Sequence, residues 1–116
     1  MIQEKLNVLK TAGIIDEQIY DYMQAVIQYM NEQNVTTDSE KASVFLTHLA
    51  MATARQKKGE SVAALDPQIA EQLRNEPAFV HAESLWQELA AIAPLTFDDA
   101  EVDYMYIHIC SLLASL

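Results

Sequence analysis

Two glycines and three prolines are all the backbone punctuation this chain of 116 residues carries. Sheets built of short strands need frequent turns, and turns draw on Gly and Pro. A chain with so few of them folds into long elements with short connections, which points to an all-α fold. Half the residues are apolar. At this length that supports one domain whose core takes about two-thirds of the unfolded surface out of water.

Periodicity and caps mark five or six helical segments. Residues 2–12 show a weak apolar pattern that stops at Gly13, in the position of a C′ glycine. After Asp16, an N-cap, a stripe at helical spacing runs through Ile19, Tyr22, Met23, Val26, Ile27 and Met30. Thr37-Asp38-Ser39-Glu40 has the form of a capping box. The helix it opens carries Ala42, Phe45, Leu46, Leu49, Ala52 and Thr53 on its core side and stops at Gly59. Asp66-Pro67 starts a further helix bearing Ile69, Ala70 and Leu73. Beyond Pro77, one face gathers Phe79, Ala82, Trp86, Leu89, Ala90 and Ala93. Thr96-Phe97-Asp98-Asp99 caps the last helix, which from Val102 to Leu113 is apolar almost all round. Such a helix is buried on several sides or meets a partner.

Seven Lys and Arg face 17 Asp and Glu, a net charge of −10. Nucleic-acid backbones are held by cations that displace counterions, and this surface repels phosphate, so direct nucleic-acid binding is not expected. The one basic run, Arg55-Gln56-Lys57-Lys58, reads as a cationic last turn complementing a helix dipole. The first residues lack the apolar stretch of a signal peptide, and the run at 104–116 is too short and interrupted to span a bilayer. A cytoplasmic protein without membrane attachment is the expectation.

Signatures of catalysis are missing: no glycine-rich phosphate loop, no G-x-S-x-G turn, no H-E-x-x-H. No enzyme activity and no cofactor are expected. The lone Cys110 sits in an apolar run and reads as a small buried hydrophobe. His48, His81 and His108 lack the spacing of helical metal ligands, so no metal site is expected.

Angular position separates the three histidines. His48 lies about 60° from the centre of its helix's core stripe, a margin position both packed and reachable. His81 lies roughly 140° from Trp86, on the solvent side. His108 shares a face with Glu101, Tyr104, Met105 and Leu112 on the most apolar helix, and reads as a core or interface histidine. Arg55 follows His48 by two turns and Glu101 precedes His108 by two, each on its histidine's face at a Cα separation of roughly 10 Å. Arg55 is therefore expected to act on His48 as a nearby positive field.

Three stretches resemble the phosphotransferase-system regulation domain (PRD) of bacterial sugar-responsive regulators. VFLTHLAMATARQKKG at 44–59 is similar to the family's first histidine helix, with His followed two turns later by Arg. DPQIAEQLRNEPAFVHAESLW at 66–86 is similar to its middle helices, and AEVDYMYIHI at 100–109 to its second histidine motif. The resemblance covers residues 15–116, with 1–14 as a helical lead-in. It implies a compact bundle of about five helices that dimerises. It also implies that His48 and His108 accept phosphoryl groups from the phosphocarrier HPr or an enzyme IIB component, with Arg55 and Glu101 as supporting motif residues. PRDs usually come in pairs behind an RNA- or DNA-binding module, whereas this chain shows one copy and no such module. Thr47 stands where many antiterminators carry Asp.

The resulting expectation is a stand-alone module of sugar-responsive transcriptional regulation, whose dimerisation or partner binding responds to histidine phosphorylation. His48 is expected to be the faster acceptor, because Arg55 lies on its side while Glu101 lies beside His108. Two other functions fit a histidine-bearing helical bundle. One is a phosphorylation-silent interaction module. The other is a two-component phosphorelay domain, although its histidine is usually followed closely by Lys and Gly rather than by Leu49, Ala50, Met51 and Ala52.

Overall fold

The computed structural model describes residues 2–115; Met1 and Leu116, the outer ends of the lead-in and of the main segment, lie outside it. The described chain is all-helical. It has six helices where about five were expected: α1 (Ile2–Thr11), α2 (Glu17–Glu32), α3 (Glu40–Lys57), α4 (Pro67–Arg74), α5 (Phe79–Ala91) and α6 (Asp99–Ala114). The additional helix is α1. Its Ile2 and Leu6 are buried in the same core as the other five helices. The radius of gyration is 13.6 Å, close to the value of about 13 Å for a fully compact chain of this size.

Local chemistry explains most of the boundaries. Gly13 and Gly59 both adopt positive φ (+76° and +75°) and end α1 and α3. Asp16 caps α2 by accepting from the Ile19 amide at 2.9 Å. Asp66 caps α4 by accepting from the Gln68 amide at 2.8 Å, with Pro67 in the first turn. Two caps differ from expectation. The α3 cap is Ser39, which accepts from the Ala42 amide, while Thr37 turns away to donate to Asn31 Oδ1. Asp98 precedes α6, but its side chain makes no capping bond. Instead its carboxylate accepts from Gln56 Nε2 at 3.2 Å while its amide donates to Gln56 Oε1 at 2.6 Å. Gln56 thereby ties the end of α3 to the start of α6.

All six residues of the α2 stripe are buried, as are all six expected on α3. On α4, Leu73 alone is buried and Ile69 is exposed, because this short helix touches the bundle along one edge. Helix α6 packs against α3, α5 and α4, which accounts for its apolar circumference. Cys110 is buried there, and burial raises its thiol pKa. The basic end of α3 is used in cross-links. Arg55 pairs with Glu101 on α6, and Lys57 pairs with Asp16 at the start of α2. Among the described residues, no helix is long and apolar enough to cross a membrane.

Candidate functional site

Helices α3 and α6 run antiparallel, and the four residues expected at a site meet across the seam between them. They meet in crossed pairs, not along each helix. The His48 and His108 rings stack obliquely with centroids 4.5 Å apart and planes at 44°. Two turns away, Arg55 Nε and Nη2 each reach a different carboxylate oxygen of Glu101, both at 3.2 Å. The seam is a ladder with a histidine rung and an ion-pair rung. Tyr104, one turn before His108, places its ring 6.4 Å from His48 and donates its hydroxyl to the Ala63 carbonyl. It thereby pins the α3–α4 loop over the seam.

Glu101 has no exposed surface. A buried carboxylate is tolerable only when paired and hydrogen-bonded, and the planar guanidinium meets both oxygens at once. Arg55 is consequently committed to Glu101. Its charge still reaches His48, as expected, but as a field and not as a bond.

The two rings do not divide into a reachable one and an enclosed one: both are half-buried. Among the described residues, His48 Nε2 is buried and finds no hydrogen-bond partner, and the same is true of the neighbouring Thr47 Oγ1. His108 lines a surface cavity of about 280 Å³ together with Glu40, Lys41, Val44 and Ser111. Burial holds both imidazoles below the ordinary histidine value of 6.5. For His48, His108 and then Arg55 press in the same direction, with Glu101 opposing. Both rings are thus neutral at pH 7, and a neutral imidazole keeps one nitrogen lone pair free for nucleophilic attack.

His81 stands exposed on α5, as its angular position indicated. Among the described residues, no three His, Cys, Asp or Glu side chains come together as a metal-binding group. Two residues at the site were not singled out from the sequence, Lys41 and Ser111. Lys41 lies two turns before His48, the same spacing at which Arg55 follows it, so heptad spacing alone would have found it. Ser111 lies one turn after His108.

No family model matches the chain, and no solved structure does. Among curated proteins, the chain is similar to the uncharacterized protein YhfY of Escherichia coli (strain K12), with 27% identity over 112 residues covering 96% of this chain and 93% of that protein. The similarity therefore runs through both α3 and α6.

Proposed function

We propose that this chain is a PRD-like regulatory module, not an enzyme, in which phosphorylation of the α3–α6 histidine pair changes dimerisation or partner binding. The observation that carries the reading is the crossed pairing: two helices each bearing a histidine and a charged residue two turns apart set His48 against His108 and Arg55 against Glu101. The sugar-responsive setting and the HPr or enzyme IIB donor come from the resemblance described above, and the cytoplasmic location from the sequence pattern.

In the transfer, a neutral imidazole nitrogen attacks the donor's phosphorus. A nitrogen–phosphorus bond forms as the bond to the donor's leaving atom breaks, and that atom departs with the electron pair and takes up the proton released from the ring. The phosphoryl group brings about −1.5 to −2 charge into a protein already at −10. Charge of that size on a half-buried seam repacks the helices or changes what covers them. Val44 and Met51, exposed on α3 about one turn either side of His48, supply apolar surface for a second copy.

The test is incubation with the phosphocarrier cascade and with an enzyme IIB donor, followed by intact-mass analysis that preserves phosphohistidine. Sedimentation is run before and after. We expect a homodimer at micromolar concentration, one or two added phosphoryl groups, and a shift in association on phosphorylation. Absence of labelling with either donor favours the phosphorylation-silent interaction module, a reading supported by the enclosed Nε2 of His48.

A further inference from the structure

The α3 face that carries the ladder has a third position. Lys41, His48 and Arg55 follow one another at two-turn intervals, so they lie nearly in line along the helix. Arg55 closes its rung on Glu101 and His48 closes its rung on His108. The rung of Lys41 is open: it is the cavity of about 280 Å³ into which Glu40, Lys41, Val44, His108 and Ser111 face.

Lys41 combines its place at this cavity with the lack of a carboxylate partner. Among the described residues, Lys10, Arg55, Lys57 and Arg74 each pair with a carboxylate, and Lys5 donates to Ser43 Oγ. Among the described residues only Lys41 and Lys58 do neither, and of these two Lys41 is the one that lines the cavity beside His108, although Glu40 lines it too and carboxylates outnumber cations more than two to one. An ammonium and a hydroxyl therefore line the same space as an imidazole that is neutral at pH 7, with the Glu40 carboxylate at the same wall. A phosphoryl dianion formed on the cavity side of His108 would project into that space. It would meet Lys41 as Glu101 meets Arg55, and it would accept from the Ser111 hydroxyl.

Resting on the phosphorylation reading, we propose that Lys41 and Ser111 are the phosphate-holding residues for His108, and that His108 rather than His48 takes the phosphoryl group first. Glu40 opposes them electrostatically but sits in the first turn of α3, where the helix dipole offsets negative charge. Lys41 is a positioning residue in this scheme, because nitrogen–phosphorus bond formation belongs to the imidazole.

The experiment uses the full chain with the phosphorylated phosphocarrier, and maps the label to His48 or His108 by peptide fragmentation. The variants are Lys41→Gln, Lys41→Arg and Ser111→Ala. Lys41 is exposed and holds no partner, so its variants keep the thermal midpoint of the parent, which checks folding. We expect Lys41→Gln to slow labelling of His108 about fivefold, the size of a partly exposed charge pair. Lys41→Arg restores the rate, Ser111→Ala gives a smaller loss, and the ³¹P titration midpoint of phospho-His108 rises in Lys41→Gln. Label confined to His48, or His108 labelling unchanged by Lys41→Gln, overturns the assignment and leaves the regulatory reading standing. Labelling of neither histidine overturns both.

Discussion

Where α2 meets the core, Ile19, Met23, Val26 and Met30 are all buried, and the Tyr22 hydroxyl on the same helix donates to the Leu89 carbonyl at 2.9 Å. Where α3 meets α6, a carboxylate with no exposed surface shares the seam with two half-buried imidazoles, and the buried His48 Nε2 has no partner among the described residues. The first seam is held by apolar burial that any well-packed helix pair supplies. The second carries desolvation costs that an apolar seam would avoid. Keeping such groups buried at one seam costs stability that the apolar seam retains.

The sharpest way to test that contrast is to cut each seam once. Arg55→Met strands the buried Glu101 charge and should cost about 3 kcal/mol, at the lower end for buried pairs because Arg55 itself is partly exposed. Adding Glu101→Leu should return the protein to within about 1 kcal/mol of the parent, since the desolvation cost disappears with the charge. Met30→Ala should also cost about 3 kcal/mol, through lost burial and a cavity. Urea unfolding of the four proteins checks all three values. A double substitution at the ion pair as damaging as the single one would show that the pair is a net stabiliser and erase the distinction between the seams.

Between pH 7.5 and 5.5, acid should act on the α3–α6 seam. Burial holds His48 and His108 below 6.5 in the folded state, so between pH 6.5 and the lowered folded values the unfolded chain binds more protons. Stability is therefore full above about 6.5 and declines as the pH falls below it. Urea midpoints at pH 7.5 and 5.5 should differ in that direction, and the difference should shrink in a His48→Gln/His108→Gln variant. An equal midpoint at both pH values would show that the rings protonate as freely in the fold as outside it.

The smallest effect concerns the Thr47 hydroxyl, buried without a partner. Thr47→Val keeps the shape of the side chain and removes the unsatisfied oxygen, and should raise stability by about 1 kcal/mol. A loss on thermal unfolding instead would mean that the hydroxyl is satisfied in solution, leaving His48 Nε2 as the unpartnered buried atom of α3 among the described residues.

What the sequence alone determined is local. The stripe from Ile19 to Met30, the core side of α3, the caps at Asp16 and Asp66 and the ends at Gly13 and Gly59 each depend on residues within a few positions, so helical spacing reports them. Ser39 replaced Thr37 as the cap of α3, with Thr37 bonded to nearby Asn31 at the end of α2, and Asp98 gave up its capping bond because Gln56 arrives from the distant end of α3 and competes for its side chain. The histidines and their charged companions were legible as residues, but not as pairs. Along one helix, side chains two turns apart stand roughly 10 Å from each other and scarcely touch. Across two packed helices, with axes about 8–10 Å apart, side chains meet directly. Only the antiparallel packing of α3 on α6 turned His48 and Arg55, His108 and Glu101 into a histidine contact and a buried ion pair, and left Lys41 facing His108 across an open cavity.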